Sequence, residues 1–151
     1  MDNMEIARRL ERLGLLMTLR GEDGFRVGAY RNAAETILGM KQSVADIARR
    51  DGAKGLQQLP GVGRAISAKI LELVARGSFE TWDAITAETP ETTLDLLDVD
   101  GIGIKTAAML HQRFKISSIE DLRTFVEGGG MELVDGMNEK VVGRIKSYLR
   151  Q

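Results

Sequence analysis

The chain has 151 residues, of which 43% are apolar and 28% charged, enough to build one compact core or two small ones and too apolar for global disorder. It has no cysteine, which excludes disulfides and thiolate metal sites and permits a reducing compartment, and it shows neither a membrane-length apolar run nor a signal-like start; a soluble cytoplasmic protein is the default expectation. The net charge of −1 hides a gradient, with 13 Lys and Arg against 9 Asp and Glu over 1–77 but 8 against 13 over 78–151, so a phosphate-seeking surface is expected mainly in the first half.

Only two prolines interrupt a composition rich in Ala, Leu, Arg, Lys and Glu, and the expectation is an all-α fold without sheet. Ile6, Leu10, Leu13 and Met17 mark the apolar face of a first helix, with Arg8, Arg9 and Arg12 on its other side. Phe25, Tyr30, Ala33, Ala34, Ile37 and Leu38 outline a second helix, running from after Gly21 to near Gly39 and packing on the first. Ser43 with Asp46 reads as an N-cap and acidic first turn for a short helix that stops at Gly52, and a further short helix is expected over Leu56.

LPGVG at 59–63 is too glycine-rich for helix and precedes the periodic Ile66, Ile70, Leu73 and Val74, with a stop at Gly77. Ser78 is placed to cap the next helix, through Phe79, Trp82 and Ile85, until the polar run 86–89 and Pro90 end its apolar period. This divides the chain into two small helical subdomains, 1–86 and 91–151. In the second, Leu94, Leu96 and Leu97 lead into VDGIG at 99–103, and Ala107, Ala108, Leu110 and Phe114 lie on the helix that follows.

Gly61/Gly63 and Gly101/Gly103 are separated by 40 residues, an internal repeat of helix, tight hairpin, helix in both subdomains. In each, the apolar middle residue, Val62 or Ile102, is expected to anchor the bend while backbone amides and the next helix's free N–H groups face outward to bind a phosphate oxygen. Such contacts hold a strand without reading its bases. A weaker third copy is VDGMN at 134–138, before Val141, Val142, Ile145 and Leu149; Asn138 stands where the second glycine would be, a residue that tolerates left-handed backbone. A dinucleotide site is excluded, since GVGRAI lacks the third glycine and a preceding strand.

At GEDGFRVGAYRNAAETI (21–37), LPGVGRAISAKI (59–70) and DGIGIKTA (100–107) the chain resembles the amino-terminal helix-hairpin-helix region of the family X DNA polymerases, the group of polymerase beta, without the palm. The resemblance implies a lyase-type subdomain over 1–86 and a second DNA-gripping subdomain over 91–151, working in DNA repair. It implies DNA contacts at Gly61, Val62, Gly63, Arg64, Arg26, Gly101, Ile102, Gly103 and Lys105. No cofactor is required. A sodium or potassium ion is expected on the carbonyls of Gln57, Leu59 and Val62, and of Leu97, Val99 and Ile102.

The same resemblance puts a Schiff-base lysine at Lys69 and a supporting tyrosine at Tyr30, with departures from the lyase pattern at Phe25, Arg26, Ala65 and Thr81. Three readings follow: a sequence-nonspecific module for gapped, nicked or distorted DNA, a 5′-deoxyribose-phosphate lyase, or a protein-interaction scaffold. No polymerase activity is expected of this chain alone, because Asp98 and Asp100 lie in the approach to a hairpin and no later carboxylate-bearing sheet exists. The acids of 80–100 read as a solvated or partner-binding face and His111 as structural or exposed and not catalytic. DNA is the expected partner, beside a separate repair polymerase, a nuclease or a second copy of the chain; no membrane is.

Overall fold

The computed structural model describes residues 1–151: eight α-helices, two 3-10 segments and no strand. The chain forms two compact units, one of Met1–Met17 with Glu22–Glu88, the other of Thr18–Gly21 with Thr89–Gln151.

In the first unit, α1 (Asn3–Leu19) buries Ile6, Leu10, Leu13 and Met17, as its four-three-four spacing requires. Its first residue also fixes a distant helix. Asn3 Oδ1 accepts the Val44 N–H at 2.8 Å and Asn3 Nδ2 donates to the Gln42 carbonyl at 2.8 Å, which ties down the start of α3 (Val44–Leu56). Arg9 leaves the solvated face: its guanidinium lies 4.8 Å from the Trp82 ring centroid.

In α2 (Gly24–Leu38) the buried stripe is Tyr30, Ala33, Ala34 and Ile37. Phe25 and Leu38 fall outside it, correcting their expected place in the core; Phe25 is 92% exposed. Five residues before Tyr30, Phe25 sits roughly 140° round the helix from it, and Leu38 lies at the stripe's margin where the helix ends. Ser43 caps α3 as expected, its hydroxyl accepting the Asp46 N–H at 3.2 Å. The stop expected at Gly52 is a break inside α3, at φ 62° and ψ −152°, and the arm beyond it carries buried Leu56.

The next helix, α4 (Arg64–Arg76), ends at left-handed Gly77, whose N–H donates to the Leu73 carbonyl at 2.8 Å. Ser78 does not cap α5 (Glu80–Glu88); its hydroxyl donates to Asp83 Oδ1 at 2.6 Å. The cap comes from α4 instead, where Glu72 Oε2 accepts the Glu80 N–H at 3.0 Å and places negative charge at the positive helix end. Arg76 bridges Glu72 and Asp83 at 2.6 and 3.0 Å. The Ser78 hydroxyl and then Arg76 hold the Asp83 carboxyl below its usual range. Thr86 donates to the Trp82 carbonyl at 2.8 Å, and α5 runs on to Glu88, through part of the polar stretch in which its apolar period ends.

The second unit opens with a 3-10 segment, Glu91–Asp98, burying Leu94 and Leu96 while Leu97 is half-buried. Helix α6 (Ile104–Phe114) buries Ala107 and Leu110, while half-exposed Phe114 packs against Phe125 with ring centroids 4.8 Å apart. His111 is structural: Nδ1 donates to the Ile116 carbonyl at 3.1 Å and Nε2 lies 3.4 Å from Thr89 Oγ1. A helix not expected from the sequence, α7 (Ile119–Glu127), starts at Ser118, whose hydroxyl accepts the Asp121 N–H at 3.0 Å. A 3-10 turn, Gly130–Leu133, then leads to α8 (Glu139–Leu149).

The two bend glycines carry unequal constraints. Gly61 has φ 79° and a Cβ there would come no nearer than 3.7 Å to the α2 backbone, whereas at Gly101, φ 96°, it would press on the Val141 carbonyl and Ile145 at 3.2 Å. Gly61→Ala is expected to cost about 1–2 kcal/mol from the left-handed conformation alone, and Gly101→Ala about 1 kcal/mol more. Urea unfolding followed by Trp82 fluorescence for the first unit and by far-UV circular dichroism for both checks this order; equal losses contradict it.

Candidate nucleic-acid interface

The two hairpins share one backbone design. In the first, the Leu59 N–H donates to the Leu56 carbonyl at 3.1 Å, Val62 to Leu59 at 3.0 Å and Ser67 to Gly63 at 2.9 Å. Forty residues on, Val99 donates to Leu96 at 3.2 Å, Ile102 to Val99 at 3.0 Å and Ala107 to Gly103 at 2.9 Å. Val62 and Ile102 are 5% and 6% exposed, so the middle residue of each bend anchors it from beneath.

Gly63 and Gly103 do a different job from the bend glycines. Both have extended backbone, φ −96° in each case, that any residue adopts, and both are N-caps, of α4 and α6, without a side-chain hydrogen bond. A Cβ at either would meet no atom within 4 Å. Five other helices satisfy an opening amide with the side chain of the residue before them, from Asp2, Asp23, Ser43, Ser118 and Asn138. At α4 and α6 no such side chain exists, and Gly63, Arg64, Ala65, Gly103 and Lys105 are exposed. Each start is an amide cluster at a positive dipole end, beside a cationic side chain.

The third copy forms the bend, with Gly136 at φ 83°, but Asn138 corrects the expectation of a left-handed residue. Its φ is −83°, matching the N-cap glycines, and its side-chain oxygen accepts the Val141 N–H at 2.9 Å. That amide, third in the helix, corresponds to those of Ile66 and Thr106. Hairpin three closes on itself, and Met137 is only half-buried where Val62 and Ile102 are buried.

Around the first hairpin, Lys69 and Tyr30 come together. Lys69 Nζ, about one turn of α4 beyond buried Ile66, lies 5.7 Å from the centroid of the Tyr30 ring, itself 4% exposed. Arg26 lies one turn before Tyr30 on α2, and both it and Arg64 are exposed. The Gln57 side chain has a role that sequence reasoning missed: Nε2 donates to Ser67 Oγ at 3.2 Å, and buried Ser67 donates to the Arg64 carbonyl at 2.9 Å. This brace crosses the hairpin. Forty residues on, the same positions hold Leu97 and Ala107, an apolar pair; the paired exchange was the available signal.

Hairpin two has its own brace, from Arg144 of α8 to Asp100, and Arg144 holds the Asp100 carboxyl below its usual range. Asp100 is thereby an ion-pair partner within the protein, and Asp98 is exposed. No cluster of three or more His, Asp or Glu side chains exists to hold a metal. The carbonyls of Gln57, Leu59, Val62, Leu97, Val99 and Ile102 are neutral oxygen donors, the chemistry of a hard cation. Those of Leu59 and Val99 each accept one N–H and keep a second lone pair.

These two hairpins define a helix-hairpin-helix protein, and the chain belongs to that family: residues 1–79 match the helix-hairpin-helix domain model, and residues 93–151 match a SAM-like helix-hairpin-helix tandem. It is homologous to the family X DNA polymerases. It is 26% identical over 149 residues to the DNA polymerase/3'-5' exonuclease PolX of Bacillus subtilis, covering 99% of this chain and 25% of that protein. It is 30% identical over 122 residues to DNA polymerase lambda of Rattus norvegicus, covering 80% of this chain and 20% of that one. The chain thus spans a quarter or less of the length of these relatives. Together the matches support DNA binding at a general level. No helix is long and apolar enough to cross a membrane.

Proposed function

We propose that the chain is a sequence-nonspecific DNA-binding module of repair, gripping the sugar-phosphate backbone of gapped, nicked or otherwise distorted DNA through the opening amides of α4 and α6. The observation that carries this reading is the contrast in capping: Gly63 and Gly103 leave those amides open, while Asp23, Ser43, Ser118 and Asn138 close theirs. Arg64, Arg26 and Lys105 add charge at the two grips, and nothing at either reads a base edge. Two separate grips favour DNA that bends at low cost, which a gap or nick provides. A sodium or potassium ion on the hairpin carbonyls would supply further positive charge for the phosphate.

Fluorescence anisotropy with gapped, nicked and intact duplexes at two salt concentrations tests this. About tenfold tighter binding to gapped than to intact duplex is expected. With three cationic side chains at the grips, the salt slope should be roughly −3. Equal affinity for all three, or binding indifferent to salt, contradicts it.

A second reading is favoured by the approach of Lys69 to Tyr30: lyase action on a 5′-deoxyribose phosphate, with Lys69 as nucleophile. The neutral amine would attack the sugar's C1′ aldehyde, lose water to form a Schiff base, and, after a C2′ proton is removed, the C3′–O bond would break with phosphate leaving. Borohydride would then trap an adduct on an incised abasic site that Lys69→Ala abolishes while DNA binding persists; no adduct with the unaltered chain rules the reading out.

A further inference from the structure

Helix α8 is held to its own unit through buried Ile145 and Leu149 and through Arg123 of α7, which donates to the Leu149 carbonyl at 3.3 Å. Its Val141 carbonyl and Ile145 side chain lie beside Gly101, and Arg144 pairs with Asp100, so this side is occupied by hairpin two. The other side carries Glu139, Val142, Gly143, Lys146 and Arg150, at the three- and four-residue spacing of one helix face. A cleft of about 330 Å³ runs along its first half, with Met131, Met137 and Val142 in its walls. Another of about 290 Å³ follows its second half, where Val126 and Leu149 share the walls with Arg123, Glu127, Lys146 and Arg150, and Lys146 lines both clefts.

Two features mark this face. Gly143 sits mid-helix, where glycine costs about 0.5–1 kcal/mol relative to alanine, yet a Cβ there would meet nothing within 4 Å. Charge is also ordered along the two clefts: Glu139 and Glu132 line the first, while Lys146 and Arg150 line the second, where Arg123 is already paired with Glu120 at 2.8 Å.

We infer that α8 is a self-association surface, on which two copies of the chain pair their α8 helices antiparallel about a two-fold axis between Val142 and Gly143. Self-complementarity selects a second copy as the occupant. With the axis there, Glu139 of each copy faces Lys146 of the other and Val142 faces Gly143, whose missing side chain lets the helices approach closely, whereas a parallel pair would set like charges together. The contact leaves the hairpin-two side of α8 untouched. A dimer would double the number of grips on one DNA and raise its hold by effective concentration, although the pairing itself requires no DNA.

Sedimentation velocity of the 151-residue chain without DNA, from about 1 μM to about 1 mM, tests the inference. A monomer–dimer equilibrium that weakens as salt rises is expected. Lys146→Glu and Glu139→Lys should each weaken it by about tenfold or more, and the double exchange should restore it, because the swapped pair is again opposite in charge. Gly143→Leu, which favours helix and so keeps the fold, should abolish it, with far-UV circular dichroism confirming folded variants. A chain that stays monomeric throughout, a dimer indifferent to both single reversals, or a double exchange no better than the singles would overturn it.

Discussion

A helix cannot satisfy its own first amides, and the organisation of this chain turns on where that deficit is met. At five helices a side chain at the N-cap meets it. At α4 and α6 the N-cap is glycine and the amides stand open, at the ends of two bends with the same hydrogen-bond pattern. Buried Val62 and Ile102 keep the bends closed from below, so the amides are presented by a rigid support instead of a mobile loop.

The supports beneath the two bends are chemically different while the bends are alike. Hairpin one is braced by Gln57 and buried Ser67, hairpin two by the Asp100–Arg144 pair and the close fit of Gly101 on α8. The repeat thus changes its scaffold and keeps its surface geometry. The third bend keeps the turn, but Asn138 supplies its own cap. Its helix is then free to serve a contact other than with phosphate.

Much of this was legible in the residues because backbone-determined features leave local marks. Glycine spacing located both hairpins, periodicity found the buried stripes of α1 and α4, and Gly77 ended α4 where a left-handed residue was required. Features that depend on distant residues were not legible. Ser78 has the right identity for a cap, but Glu72 from α4 takes its place, and Phe25 has a core residue's identity on the wrong side of α2. The Ser118–Asp121 capping signal of α7 and the Ile119, Leu122, Val126 spacing that follows it were local and readable, and sequence reasoning missed them. The approach of Lys69 to Tyr30 joins α4 to α2 and emerges only from packing.

The role of the open amides can be separated from fold stability by copying hairpin three into the other two. In a Gly63→Asn, Gly103→Asn variant, each new side chain should accept the amide of Ile66 or Thr106, as Asn138 does for Val141. Thermal stability should then be unchanged or slightly raised, since Asn is at least as good an N-cap as Gly. Affinity for gapped duplex DNA, measured by anisotropy on the same preparation, should fall about tenfold or more. A folded variant that binds DNA as tightly as the unaltered chain would contradict the account.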